Sequence, residues 1–355
     1  MTEQNNALTH GGDWAGFRKE YGKDPLDFSM NVNPFGISGK AAEAIRTAAG
    51  SAERYPDPLT RSLREALGAA MDLPADCFLC GCGAADLIFR YALAEKPKTA
   101  LLTQPTFSEY EAALLEAGCQ IRRFPLEAER GFRLTEEFLD AIDEDTDCVF
   151  LCEPNNPTGV ATDPELLRRI LARCRKTGTR LVVDECFNGF LDEPEQHSLR
   201  GEVPGSPELL ILNAFTKMYG MAGVRLGFVI GSDVDLLYRM RNAGPPWSVS
   251  YLAEQAGVAA LSDRRFVEEA RQLIREERPK LARALRELGA GFVTGEANYL
   301  LFHHEPGLEE AMRRHGILIR DCSNFEGLER GWYRVAVKRP EENEALIRAL
   351  REEWK

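Results

Sequence analysis

Lys217 lies in Thr216-Lys217-Met218-Tyr219-Gly220, just after the apolar run Leu209-Leu210-Ile211-Leu212-Asn213. Upstream, Asp184 closes the run Leu181-Val182-Val183, and Asn155-Asn156-Pro157-Thr158-Gly159 precedes both. A lysine, an aspartate and an asparagine, each at the end of an expected strand, are the groups that pyridoxal phosphate chemistry requires. The lysine amine condenses with the cofactor aldehyde, and the aspartate keeps the pyridine nitrogen protonated so that the ring can take up the electrons of a carbanion. The asparagine amide can donate to the ring hydroxyl. Each group alone is weak evidence, since a lone lysine after a strand is usually a solvated surface residue. In this order, and with Arg225 eight residues past the lysine, they point to one site.

The elements that must position them alternate in type. Strands are expected at Thr99 to Thr103, Cys119 to Phe124, Cys148 to Cys152, Leu181 to Asp184, Leu209 to Leu212 and Leu226 to Ile230. Helix-period stretches lie between them at Ala84 to Glu95, Ser108 to Ala117, Pro164 to Arg175 and Val234 to Arg241. Alternation of this kind implies an α/β fold with a mostly parallel sheet covered on both faces, and ligands bind beyond the carboxyl ends of such strands. Gly244-Pro245-Pro246-Trp247 breaks the pattern as a hinge. After it come a long charged helix, Asp263 to Leu288, apolar runs at Tyr299 to Phe302, Ile317 to Arg320 and Tyr333 to Val337, and a last helix from Glu341. These form a smaller α+β domain. The expected division is an N-terminal arm at 1–24, an N-terminal part of the small domain at 25–48, a cofactor-binding large domain at 49–246 and the C-terminal small domain at 247–355.

Other residues fit the same chemistry, each against a plainer alternative. Gly81-Cys82-Gly83-Ala84-Ala85-Asp86 leads into a helix, and Gly83, Ala84 and Ala85 are small enough for backbone N–H groups to approach a phosphate; an ordinary tight turn has the same composition. Thr216 and Arg225 can complete that cup with a hydroxyl and a guanidinium. Phe107 can stack on the pyridine ring or sit in the core at a helix start. Arg334, in Trp332-Tyr333-Arg334-Val335, suits a clamp on a substrate carboxylate, and Arg320, ending Ile317-Leu318-Ile319, suits a second anion; ion pairs with Asp or Glu are the alternative for both. His10, in His10-Gly11-Gly12, can be carried onto a substrate by a lid or belong to a free terminus.

Composition narrows the partners. The 355 residues carry a formal net charge of −12, which argues against a nucleic-acid surface. No apolar stretch reaches the roughly 20 residues of a membrane helix, and Met1-Thr2-Glu3-Gln4-Asn5-Asn6 is not a signal peptide, so the cytoplasm is the expected compartment. The nine cysteines show neither paired C-x-x-C spacing nor neighbouring histidines, so no metal site is expected.

Taken together these strings resemble the aspartate-aminotransferase superfamily, fold type I of the pyridoxal phosphate enzymes, over nearly the whole chain. The resemblance implies that Lys217 carries the cofactor, Arg225 binds its phosphate, Asn156 and Asp184 hold the ring, and Tyr55, in Arg54-Tyr55-Pro56-Asp57, reaches the phosphate of a neighbouring subunit. A homodimer follows from that last match. His10-Gly11-Gly12, Asp27-Phe28-Ser29-Met30-Asn31-Val32-Asn33-Pro34, Pro246-Trp247-Ser248-Val249, Ala297-Asn298-Tyr299-Leu300-Leu301 and Ile317-Leu318-Ile319-Arg320 are similar to the histidinol-phosphate aminotransferase branch. Within it they are similar to the threonine-phosphate decarboxylases of cobalamin biosynthesis. The implied substrate is then a small phosphorylated amino acid, held by His10, Asn33, Arg320 and Arg334. One departure is chemical: most aminotransferases carry a tyrosine three residues after the acid, and here that residue is Phe187, as in the decarboxylases. Ala214 likewise lacks a hydroxyl found in many relatives. The implied reaction is decarboxylation of L-threonine O-3-phosphate to (R)-1-aminopropan-2-ol O-phosphate. Histidinol-phosphate transamination is the alternative, and a catalytically inactive cofactor-binding regulator is disfavoured by the missing basic patch.

Overall fold

The computed structural model describes residues 10–291 and 293–354. Its largest sheet has seven strands in the spatial order Phe78–Gly81, Gly227–Gly231, Leu209–Ala214, Arg180–Asp184, Cys148–Cys152, Thr99–Gln104 and Gln120–Pro125. Gly227–Gly231 runs antiparallel to both its neighbours, and every other pairing in this sheet is parallel. Both faces are covered: Leu181 and Val183 pack into one core cluster and Val182 into another. A strand buried on two sides has no polar face, which is why these segments read as unbroken apolar runs. The expected strands and helices of this region are present to within two residues. Phe78–Gly81 is an addition, since four buried residues are too few to display a period.

Local signals fix the helices between them. In Pro164–Thr177, Asp163 accepts from the backbone N–H groups of Glu165 and Leu166, proline takes the first turn, and Gly178 closes the helix at φ 74°. Leu166, Leu167, Ile170, Leu171 and Cys174 recur at helical spacing and enter the core.

A four-stranded antiparallel sheet, in the order Arg320–Asp321, Trp332–Ala336, Tyr299–His303 and Val293–Thr294, builds the smaller unit. Helices Arg264–Glu287 and Pro340–Glu353 pack on it through Ile274, Leu281, Leu285, Leu346 and Leu350. Leu26–Asp27 pairs in parallel with Ile317–Leu318, tying the N-terminal segment to this unit.

Two readings need correction. Trp14–Tyr21 is a helix within the expected arm, capped by Asp13 and ended by Gly22, with Phe17 fully buried and stacked on Tyr21. One buried side chain in two turns leaves the composition polar, so the helix is not visible in it. The first nine residues of the arm lie outside the described residues. Helices Gly39–Ala49 and Tyr251–Leu261 pack on each other, and Ala41, Ala253, Ala256 and Ala260 join the core of the large sheet. The boundaries expected at 48 and 247 therefore do not mark where the packing changes. Alanine-rich faces allow close approach of helices, and alanine is neutral in a hydropathy pattern.

Candidate active site

Asp184 ends its strand, Asn156 and Lys217 follow theirs within a few residues, and all three line one cavity of about 360 Å³ beyond the carboxyl ends of the large sheet. Ala84, Ala85, Phe107, Thr216, Arg225, Arg320, Arg334 and His10 line it too. The positions singled out between His10 and Arg334 are thus brought to one place, with three exceptions described below.

The lysine is held for reaction. Its ammonium lies 5.1 Å from the centre of the Phe187 ring. Burial, and after it the charge of Arg334, pull its pKa from the usual 10.5 down to about 8. A good share of the amine is therefore neutral and nucleophilic near physiological pH. Asn33 N–H donates to the Lys217 carbonyl at 3.0 Å, its Nδ2 to the Met218 carbonyl at 2.7 Å, and its Oδ1 accepts from Phe35 N–H.

Asp184 is 5% exposed. Its Oδ1 accepts from Cys186 N–H at 2.9 Å and its Oδ2 from the Tyr110 hydroxyl at 2.7 Å. The turn that presents Asn156 is locked by its neighbour: Asn155 Nδ2 donates to the Pro105 carbonyl and to Thr158, and the Asn155 carbonyl accepts from the Tyr299 hydroxyl. Asn156 Oδ1 accepts from Arg334, which leaves its amide N–H groups for the cavity.

The phosphate cup passes a test on its own geometry. Ala84–Glu95 starts at Gly83 with no side-chain cap, so its first N–H groups are open at the cavity wall. Gly83 has φ +87°, and a Cβ there would come within 2.7 Å of the Arg225 guanidinium. Arg225 itself sits in the left-handed region at φ 60°, an unfavourable backbone that persists where surroundings and function require it. Open helix N–H groups, a guanidinium and the Thr216 hydroxyl on one wall suit a phosphate dianion. Phe107 and Asp184 line the same cavity and would hold a planar aromatic ring there. The residues present therefore fit pyridoxal phosphate.

Arg320 and Arg334 are register partners across an antiparallel pair, both over nine-tenths buried. Arg334 donates to Asn156 and to the Ser29 carbonyl, lies 5.5 Å over the Tyr299 ring, keeps an unpartnered Nε and forms no salt bridge among the described residues. Arg320 donates to Asn324 at 2.6 Å and stacks on Phe325. His10 also reaches the cavity, its Nε2 3.0 Å from Glu109.

Three expected residues stand apart. Asn33 does not line the cavity; its backbone N–H and Nδ2 brace the backbone of Lys217 and Met218 while its Oδ1 and carbonyl close its own turn onto Phe35 and Gly36, so its place on the substrate is corrected to one of support. Gly83 shapes the cup without lining it. Tyr55 is 80% exposed, packs against Trp247 at 4.9 Å and lies outside this chain's cavity. The sequence reading also passed over Asn31, which is 2% exposed with both side-chain polar atoms unpartnered and faces the cavity. It missed Tyr110 as well, although Tyr110 stands three positions after Phe107 at helical spacing.

A doubly wound large sheet, an antiparallel small unit and a lysine, aspartate and phosphate cup between them define a fold type I pyridoxal phosphate enzyme. Residues 23–350 match the family model of aminotransferase class I and II, and the chain belongs to that family. Pyridoxal 5′-phosphate is accordingly its cofactor. The chain is 38% identical to the threonine-phosphate decarboxylase of Salmonella typhimurium over 349 residues, 96% of this chain and 95% of that protein. It is 36% identical to the histidinol-phosphate aminotransferase of Symbiobacterium thermophilum over 335 residues, 92% of this chain and 90% of the other. The crystal structure of the histidinol-phosphate aminotransferase from Clostridium acetobutylicum superimposes with a TM-score of 0.86 at 27% identity, covering 93% of this chain and 99% of that one.

Proposed function

We propose that the chain decarboxylates L-threonine O-3-phosphate to (R)-1-aminopropan-2-ol O-phosphate as a step of cobalamin biosynthesis, acting in the cytoplasm as a homodimer. The observation that carries this reading is the part of the cavity lining that Arg320, Arg334 and Asn31 supply beside Lys217. Two buried guanidinium groups and the unpartnered Asn31 amide meet there, in a chain of net charge −12. Such a wall selects a small substrate with two anionic groups, and Phe187 beneath the lysine leaves the site without the phenol that most aminotransferases carry. The similarity to the Salmonella enzyme supports the same choice.

When bound, pyridoxal phosphate supplies an electron sink for the bond broken at the α-carbon. Arg334 binds the α-carboxylate and Arg320, with Asn31 and His10, the phosphate. Held by both ends, the substrate would be oriented by these residues so that one chosen bond of the α-carbon is the one broken, a matter of about an ångström. Asp184 keeps the ring nitrogen protonated. Lys217, still protonated in part near pH 8, would give from its ammonium the proton that replaces carbon dioxide on the α-carbon and be left as the neutral amine. Tyr55, exposed in the single chain, reaches the cofactor phosphate of the second subunit in this reading.

The identity to the Symbiobacterium enzyme favours histidinol-phosphate transamination as the second reading. Incubating the holoenzyme with O-phospho-L-threonine, and separately with histidinol phosphate and 2-oxoglutarate, separates the two. Carbon dioxide from the first mixture supports the proposal; glutamate from the second, with no gas from the first, overturns it.

A further inference from the structure

Asp184 has a side-chain partner to which no role has been assigned. Tyr110 is fully buried in the first turn of helix Ser108–Glu116, and its hydroxyl donates to Asp184 Oδ2 at 2.7 Å. Packing allows the ring no other place: it stacks on Phe150 at 5.2 Å and meets Phe107 edge-on at 5.5 Å. Burial, and then the Asp184 charge, push the phenol well above its usual value, so it stays a donor at any pH at which the protein works. With Cys186 N–H on Oδ1 and the Tyr110 hydroxyl on Oδ2, both carboxylate oxygens accept a hydrogen bond from the protein.

We propose that Tyr110 is a positioning residue for the cofactor, deciding on which side the proton between the ring nitrogen and Asp184 resides. The phenol draws negative charge from the carboxylate, so the shared proton stays on nitrogen and the ring remains an electron sink. Without the phenol, the carboxylate is buried with one donor fewer and takes that proton, leaving the nitrogen neutral. Phe107 and Tyr110 leave the same helical turn, so one element places both the group against the ring face and the group behind the acid. The inference rests on pyridoxal phosphate as cofactor, not on which substrate is used.

The test needs no turnover. Wild type and Tyr110→Phe are loaded with pyridoxal phosphate labelled with nitrogen-15 in the ring, and the nitrogen chemical shift is measured across pH. The expected result is a protonated nitrogen in wild type and a displacement toward the unprotonated value in the variant. With it, kcat should fall about 10- to 100-fold, the range for a hydrogen bond to a charged group, while KM changes little. Replacing Tyr110 by 3,5-difluorotyrosine, a stronger donor of nearly the same shape, should hold the nitrogen protonated to higher pH than wild type. That arm decides the matter if the phenylalanine variant fails to fold. An unchanged nitrogen shift in both variants overturns the assignment of Tyr110, whereas failure of wild type to take up the labelled cofactor overturns the cofactor reading instead.

Discussion

Arg320 and Arg334 face each other across one rung of an antiparallel ladder, Cα partner to Cα partner. Side chains directly opposite share a face of the sheet, and like charges there destabilise it. Burial, and in part the neighbouring Arg334 charge, lower the pKa of the Arg320 guanidinium. A pair that costs stability in the empty site is one that an anion repays when it binds.

Substitution Arg320→Gln should therefore weaken binding of O-phospho-L-threonine by about 2–5 kcal/mol, the cost of leaving a buried charge without its partner. Binding of unphosphorylated L-threonine should change by less than about 1 kcal/mol. Both are read by titrating the visible spectrum of the holoenzyme. Equal losses for the two ligands would remove Arg320 from the phosphate.

Buried carboxyl groups give a second, pH-dependent expectation. Glu153 follows the strand Cys148–Cys152; its Oε1 accepts from Thr162 N–H and its Oε2 is buried without a partner. Burial raises it from the usual 4.5 to about 8, and Glu185 goes to about 7 for the same reason. Between 4.5 and about 8 the folded chain binds more protons than the unfolded one, so stability falls as pH rises through that window. Glu153→Gln keeps the acceptor and cannot ionise. Its melting temperature should match wild type near pH 4.5 and exceed it by at least about 2 °C at pH 8. A constant difference across that range would show that Glu153 ionises as readily in the folded chain as in the unfolded one.

Much of the site is legible in the sequence because its groups are set by strand ends. Lys217, Asp184 and Asn156 each follow an apolar run, and a parallel sheet brings such ends together whatever the loops do. The cofactor cup is readable only in company: small residues before a helix also make ordinary turns, and Gly83, Ala84 and Ala85 gain meaning from Thr216 and Arg225, which line the same cavity as the two alanines. Asn31 and Asn33 show the limit. Two asparagines two positions apart look interchangeable, yet one braces the lysine's backbone and the other faces the cavity, and only the path of the chain decides between them. Tyr110 was hidden because a tyrosine at helical spacing reads as core, which it also is. The helix in the expected arm and the alanine-rich pair Gly39–Ala49 and Tyr251–Leu261 carry too little apolar contrast to register as part of a core.

Tyr55 and Trp247 are both exposed and in ring contact, an arrangement that a second subunit would bury. Tyr55→Phe should weaken cofactor binding about 10-fold, the value of one hydrogen bond to a charged group. Mixing Tyr55→Phe chains with Lys217→Ala chains tests where that hydroxyl acts. If it crosses the interface, the mixed dimer has one site with both an intact Lys217 and an intact Tyr55, and native cofactor affinity returns in half of its sites. If affinity does not recover on mixing, Tyr55 serves its own chain or none.

Lys217 supplies the last expectation, and its sign is opposite to that of Glu153. Its folded value is lowered from 10.5 to about 8, so between those limits the unfolded chain of the cofactor-free protein binds the extra proton. The lysine's cost to stability is fully present below about pH 8 and disappears as pH rises toward 10.5. Lys217→Met removes the charge at every pH while keeping an apolar stem beside Phe187. The variant should be the more stable of the two cofactor-free proteins at pH 7, and the gap should close by about pH 10.5. The same titration governs loading: addition of pyridoxal phosphate to wild type should accelerate with pH up to about 8 and level off above it, because only the neutral amine attacks the aldehyde. Loading that continues to accelerate up to 10.5 would mean that the amine is not desolvated by its site, and the stability gap between the two proteins should then be absent as well.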